Sequence, residues 1–486
     1  MSLMSPDVWQ AKIRLAGWAA GAGGTRTVVE PATGDALGEI GVAGPADVAE
    51  AVRIGRTAQR EWARAPYTER AAVLRRAGAA WEQHAAEIEE WLIREAGSVP
   101  GKAAFETGTA AQECYEAAAL PAHPYGELLR SAEPRFSFAR RLPVGVVGVI
   151  APFNVPIVLA IRAVAPALAL GNAVVLKPDP RTAVSGGAVL ARVFEEAGLP
   201  DGLLTVLPGG ADVGQALVTD PGVPVIAFTG STSAGRAVAE LGGRHLKRVH
   251  LELGGNSALI VCADADIPHA ATVGAWGSFF HQGQICMATS RHLVHESIAE
   301  PYVRALATKA DALPSGDPAS GPVAVGPLID AGQRDRVHEI VTGTVEAGAT
   351  LRAGGTYDGL IYRPTVLADV PRAAPAHERE IFGPVAPVLT FSTLDEAAEL
   401  AAATEYGLSL GILTRNVMNA LELGERVPTG LLHINDQTVN DEATAPFGGV
   451  GASGTGARHG GPQANIEAFT DTQWVTMRDV PPRYPL

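Results

Sequence analysis

The chain has 486 residues, 47% hydrophobic and 19% charged, enough to bury large cores and to divide into two or more domains. Lysine and arginine total 38 against 52 aspartate and glutamate, a formal charge of −14 with no compensating basic run, which argues against a nucleic-acid partner. Three scattered cysteines, Cys114, Cys262 and Cys286, suit neither a disulfide framework nor a paired metal site, so a reducing cytoplasm is expected and no metal is.

The residues ahead of Met4 read as an added segment outside the fold, and no charged-then-apolar leader opens the sequence. Over 45–64 the apolar positions Val48, Ala51, Val52, Ala58 and Trp62 recur at helical spacing, and 67–96 continue as a second long helix, both expected on the solvent side. Residues 131–141 alternate polar and apolar around Phe136 and Phe138, as an exposed hairpin arm would, and its free edge invites a partner strand. From 144 onward, β-rich runs at 144–150, 173–176, 203–206 and 225–228 alternate with helical segments, which predicts a parallel sheet with crossover helices. The apolar run 155–170 is too short to span a membrane and contains Pro156, Arg162 and Pro166, so it reads as a buried helix. After Gly255 the pattern restarts: a strand at 258–261, a helix into the Phe279 region, a strand at 293–295 and a helix from about Ser297 make a second α/β unit.

Two stretches pair a thiol with a carboxylate. Gly283-Gln284-Ile285-Cys286-Met287-Ala288-Thr289-Ser290-Arg291 offers a nucleophile, because a thiolate attacks a carbonyl carbon far better than a hydroxyl does. Leu251-Glu252-Leu253-Gly254-Gly255 offers a base that could activate water, at a strand end whose glycines let the backbone approach a ligand closely. Taken singly, a free cysteine is commonly an inert buried hydrophobe, and a strand-end acid is commonly solvated. Phe228-Thr229-Gly230-Ser231-Thr232 follows a strand and opens a helix near Ser233, so its N–H groups and the Ser231 hydroxyl suit pyrophosphate, although such a junction alone can be a plain N-cap. No stretch matches the G-x-G-x-x-G fingerprint convincingly.

In this order and company the motifs resemble the aldehyde dehydrogenase superfamily, from the first helices to the final residues. The resemblance implies that Cys286 is the nucleophile, forming a thiohemiacetal and then a thioester, and that Glu252 activates the water that hydrolyses it. Pro152-Phe153-Asn154-Val155-Pro156 is similar to the family's Pro-Trp-Asn motif, which gives the Asn154 amide and the Cys286 N–H to the oxyanion; Phe153 replaces the common tryptophan, so an indole contact to phosphate is lost. The implied cofactor contacts are Ile150, Phe153, Lys177, Gly209, Gly230, Ser231, Leu253, Glu380 and Phe382. Lys177 would meet the adenosine ribose, Glu380 the nicotinamide ribose, and Phe382 the region of the nicotinamide ring. Pro180 stands where NAD-preferring members often carry an acid, with Asp179 one step early, which leaves NAD or NADP open. Pro446-Phe447-Gly448-Gly449-Val450 and Ser453-Gly454 resemble a signature near the substrate mouth, with Gly451 where a lysine is frequent. His433-Ile434-Asn435-Asp436-Gln437-Thr438-Val439-Asn440-Asp441-Glu442 and Phe469-Thr470-Asp471-Thr472-Gln473-Trp474 are similar to the benzaldehyde and vanillin dehydrogenase branch, which oxidises aromatic aldehydes to acids.

The fold so implied is α/β: two doubly wound parallel-sheet domains with a small β oligomerisation arm. Residues 4–130 and 143–254 would bind the dinucleotide, 255–440 would carry the catalytic domain, and 131–142 with 465–486 would bridge subunits of a homodimer or homotetramer. The expected partner is a small-molecule aldehyde, with no nucleic acid and no membrane. Alternatives are an aliphatic aldehyde or semialdehyde dehydrogenase, a CoA-acylating enzyme, a cysteine hydrolase pairing Cys286 with His281, and a non-catalytic binding or storage protein on the same fold.

Overall fold

A computed structural model describes residues 2–485. Five parallel strands form the first sheet in the spatial order Arg248–Glu252, Val225–Thr229, Val146–Ile150, Ala173–Lys177 and Leu204–Val206. The antiparallel pair Ile13–Arg14 and Trp18–Ala19 extends its far edge. The chain starts in the middle at Val146–Ile150, builds outward to Leu204–Val206, then returns to build the other side. The order therefore reverses between Val146–Ile150 and Val225–Thr229, which makes that point the natural ligand crevice of a doubly wound sheet.

A second sheet of seven strands runs Thr350–Ala353, Thr365–Ala368, Val385–Phe391, Thr289–His295, Ser257–Val261, Ser409–Leu413 and Leu431–Ile434. All its pairings are parallel except the first. Strands Val146–Ile150, Ala173–Lys177 and Ser257–Val261 are buried along their whole length, as parallel strands covered on both faces must be. A third sheet pairs Gly126–Leu128 with Phe136–Pro143, and Phe136–Pro143 with Thr470–Met477 from Met477↔Phe136 to Thr470↔Pro143.

Several expectations need correction. The segment 67–96 is two helices, Tyr67–Gln83 and Ala85–Ala96, parted at His84 (φ −105°, ψ 16°). Neither these nor Pro45–Trp62 merely face solvent, because Trp62, Leu74, Trp81, Ile88 and Leu92 are buried. A long helix absent from the expectation, Pro100–Ala119, packs against Tyr67–Gln83 and Ala85–Ala96. The arm's hairpin begins at Gly126, and 131–135 form its connecting loop rather than a strand. Leu3 and Met4 are buried, and the Leu3 and Met4 N–H groups each donate to the Glu87 carboxylate at 2.8 Å, so Leu3 belongs to the core with Met4.

The run 155–170 is indeed a core helix. Every residue of Pro156–Ala169 is buried, Arg162 included, and among the described residues no helix is long and apolar enough to cross a membrane. Its first turn carries N–H groups without intrahelical partners. The buried Glu106 carboxylate takes them up, accepting from Ile157 N at 2.7 Å, while Lys102, also buried, pairs with the same carboxylate. Glu106→Ala should lower stability by about 3–5 kcal/mol in chemical denaturation, because it strands a buried ammonium and two backbone donors. A loss below about 1 kcal/mol would contradict that reading.

Candidate active site

The strands of the first sheet end on a cleft of about 380 Å³ at the reversal point. One wall runs from Ile150 through Phe153 to Asn154, another from Phe228 to Ser231, and Lys177 with Asp179 closes one side. Leu253 and Gly254 lead across from the first sheet, and Cys286, Glu380 and Phe382 face the same space from the second. Gly209 lies apart, in a small recess with Pro180 and Gly210, where a Cβ would press on Val213.

The cleft has the donors an anionic dinucleotide needs. Ser231 caps the helix Thr232–Arg244, its Oγ accepting from Ala234 N at 3.4 Å, so the positive end of that helix opens into the space. Lys177 is 8% exposed and its Nζ donates only to its neighbour's Pro178 O, at 3.3 Å; burial lowers its pKa, partly offset by Asp179 and Asp212. Glu380 accepts from Gly255 N at 3.0 Å, and burial raises its pKa. Phe153 and Phe382 meet edge to face at 5.9 Å, the latter in a left-handed conformation at φ 55°. A cleft so lined, with a helix N-terminus, a buried ammonium and a buried carboxylate, fits a nicotinamide dinucleotide.

Arg181, which the sequence did not single out, also lines the cleft. Its guanidinium grips Asp179 through two 2.9 Å bonds, reaches Asp330 at 2.7 Å and lies 4.1 Å from the Phe153 ring centre. Asp179 is thus engaged by a cation.

Cys286 lies at the inner end, on a loop built under strain. His281, Gln282 and Gly283 take positive φ in succession, at 48°, 56° and 65°. Gln282 Nε2 donates to Gly97 O and Pro327 O, both at 2.9 Å; Gln284 Oε1 accepts from Ile329 N at 3.1 Å. Asn154 Nδ2 donates one hydrogen to Gln284 O at 2.9 Å, leaving its other N–H for a ligand. Such a conformation persists only where its surroundings over-determine it. Burial pushes the Cys286 thiol up to about 12, helped by the Glu380 and Glu252 carboxylates and opposed by Arg162.

Glu252 ends the strand Arg248–Glu252 and lies behind the cleft wall, against Gly448. It is 2% exposed, and neither carboxylate oxygen accepts a hydrogen bond of ordinary geometry, although the Gly449 N–H is placed to favour its charged form. Burial raises its pKa well above the usual carboxylate range, with Arg162 and Arg458 opposing and Asp441 adding to the rise. A buried acid so sparsely partnered is costly to keep unless it has work to do, and a raised pKa makes it a stronger base once ionised. His281 does not compete for that part: burial holds its pKa well below normal, and neither ring nitrogen has a hydrogen-bond partner.

The junction between the sheets brings these groups together. Leu253 N donates to Ser453 O at 2.9 Å and Gly230 N to Glu252 O at 3.1 Å, which fixes the strand end. A Cβ on Gly254 would stand 2.6 Å from Glu380 Oε2, and one on Gly255 would overlap the Cys286 carbonyl oxygen.

Residues 18–475 match the aldehyde dehydrogenase family. The chain belongs to that family. Among aldehyde dehydrogenase relatives, it is 64% identical over 485 residues to a vanillin dehydrogenase of Amycolatopsis sp., covering 100% of both chains. It is 50% identical to a benzaldehyde dehydrogenase [NAD(+)] of Pseudomonas putida, over 98% of each. The crystal structure of a salicylaldehyde dehydrogenase from Pseudomonas putida G7, complexed with salicylaldehyde, superposes with a TM-score of 0.94 at 32% identity, covering 98% of this chain and 99% of that one.

In this aldehyde dehydrogenase, Gly255→Ala should leave the fold intact by circular dichroism and lower kcat/KM by about 100-fold, because the added methyl displaces the backbone at Cys286. Near-normal activity would show that the junction tolerates a side chain.

Proposed function

We propose that this chain oxidises an aromatic aldehyde to its carboxylic acid with NAD(P)+, using Cys286, Glu252 and Asn154. The observation that carries this reading is Cys286 at the inner end of the switch-point cleft with Glu252 buried and unpaired behind it.

The Cys286 sulfur, once deprotonated, adds to the aldehyde carbon; the C–S bond forms and the carbonyl pair moves onto oxygen. Asn154's free amide N–H and the Cys286 N–H steady that oxyanion, a type of interaction that lowers barriers by about 3 kcal/mol per donor. A dinucleotide held in the cleft would accept the hydride lost from the former aldehyde carbon as the oxyanion pair re-forms the C=O bond, and Cys286 would then carry a thioester. Glu252 then takes a proton from water, the oxygen adds to the thioester carbon, and the C–S bond breaks to release the acid. Ile150, Phe153, Lys177, Gly230, Ser231, Leu253, Glu380 and Phe382 are the proposed cofactor contacts; Gly209, set in its own recess, would touch only the cofactor's periphery.

The aromatic preference rests on the vanillin and benzaldehyde dehydrogenases that this chain resembles over its whole length. Residues 4–130 with 143–254 and residues 255–440 are the proposed dinucleotide and catalytic domains. Residues 131–142 and 465–486, with the strand Gly126–Leu128 at the end of the first segment pairing onto them, are proposed to border another copy in a homodimer or homotetramer, since Leu128, Phe136, Trp474 and Met477 are exposed there.

Cys286→Ala should cut the rate of reduced-cofactor formation by at least about 10³-fold while the protein stays folded. Across benzaldehyde, vanillin and a short aliphatic aldehyde, each with both nicotinamides, the aromatic pair should give the higher kcat/KM. A faster aliphatic substrate would overturn the substrate class and spare the chemistry.

A further inference from the structure

One cation in the active-site interior has no place in the scheme above. Arg162 projects from the wholly buried helix Pro156–Ala169 and is 3% exposed. Its Nη2 bonds to Asp441 and lies 3.9 Å from Glu113 Oε1, and its Cζ sits 4.6 Å from the Phe447 ring centre. Phe447 belongs to the apolar cluster that packs around Cys286, and the next residue, Gly448, borders the Glu252 carboxylate. Nε and Nη1 of Arg162 have no hydrogen-bond partner, nor has Asp441 Oδ1. The guanidinium is therefore fixed at one corner, with two donor nitrogens uncommitted and only the Phe447 ring between it and the cluster that holds Cys286.

A guanidinium cannot shed its charge as a buried lysine or histidine would. Burial opposes the charge of Arg162, but Asp441 and Glu113 outweigh it. The groups facing this corner come from five segments. Glu113 lies on Pro100–Ala119, where burial raises it to about 7, and Asp441 sits on the loop after Leu431–Ile434. Glu252 ends its strand, Arg458 and His459 follow the Gly448 turn, and Glu380 faces Cys286 from the second sheet. Burial takes His459 down to about 3, so it stays neutral. Three carboxylates thus disfavour a thiolate at Cys286, and Arg162 is the cation set against them.

We propose that Arg162 is a positioning residue for the nucleophile: its permanent charge supplies the positive field under which Cys286 loses its proton, and Asp441 limits how much of that field reaches the sulfur. The inference rests on Cys286 being the nucleophile, which Cys286→Ala tests by activity alone. The role of Arg162 is read without turnover.

The test is the alkylation rate of Cys286 by iodoacetamide across an alkaline pH series, in the full-length protein without dinucleotide, followed by mass spectrometry of the Cys286 peptide. Only the thiolate reacts, so the rate tracks its population. Arg162→Gln should slow alkylation about tenfold or more at a given pH, the equivalent of moving the thiol by one pH unit. Arg162→Lys should recover most of the loss, and Asp441→Asn should speed the reaction. Cys262, alkylated in the same digest, should not change, which separates a field effect from general loosening. An unchanged rate in Arg162→Gln would overturn the proposal, as would slowing by both Arg162→Gln and Asp441→Asn. If Arg162→Gln does not fold, Asp441→Asn decides: a rate no faster than that of the unaltered protein overturns the proposal.

Discussion

The architecture depends on a close approach at Gly254-Gly255, where the first glycine meets the Glu380 carboxylate and the second the Cys286 backbone. The segment leaves the edge strand of the first sheet with Glu252 at its tip, passes against the Glu380 carboxylate and the Cys286 carbonyl, and enters the second sheet at Ser257. One short stretch thus sets the acid, the thiol-bearing loop and the Glu380 carboxylate relative to one another. Because the contact at Gly255 is made by main chain, it is rigid, and small shifts there reach every reacting group at once.

Burial is the second constraint, and it acts in opposite senses on structure and chemistry. It raises both Cys286 and Glu252, so neither group is ionised cheaply in the resting protein. The same low-polarity surroundings magnify each fixed dipole and charge, including the Asn154 amide and the Arg162 guanidinium. The interior polar side chains are held by a few paired contacts: Lys102 with Glu106, Arg162 with Asp441, and Glu95 with the N–H groups of Val184 and Ser185. Glu106 braces Lys102 on its own helix while capping the neighbouring Pro156–Ala169, Arg162 ties that helix to the Asp441 loop, and Glu95 ties Ala85–Ala96 to the turn at Val184.

Much of this was legible in the residues. The parallel strands show as short apolar runs because both their faces are covered, and the cysteine and glutamate stretches announce themselves through glycines that permit close approach. The helix Pro100–Ala119 was hidden because Lys102, Glu106 and Glu113 fall on its buried face, where a periodic apolar stripe is expected. Their partners explain the exception: Ile157 and Arg162 lie on another helix, far along the chain. Arg162 was visible as a lone charge in an apolar run, but its meaning needed Asp441, 279 residues away. The clasp of Arg181 on Asp179, Asp330 and Phe153 is likewise a product of folding, since Asp330 comes from the far side of the cleft. The break at His84 carries no proline or glycine to mark it.

The proposed chemistry turns on an aldehyde that becomes covalently attached to Cys286 and is freed by Glu252. The direct measurement is intact-protein and peptide mass spectrometry of Glu252→Gln, quenched in acid within the first turnovers with benzaldehyde and NAD+. A benzoyl adduct on the Cys286 peptide, close to one per site, is expected alongside one equivalent of reduced cofactor. Reduced cofactor formed with no adduct, or with an adduct on Cys114 or Cys262 instead, would contradict that chemistry.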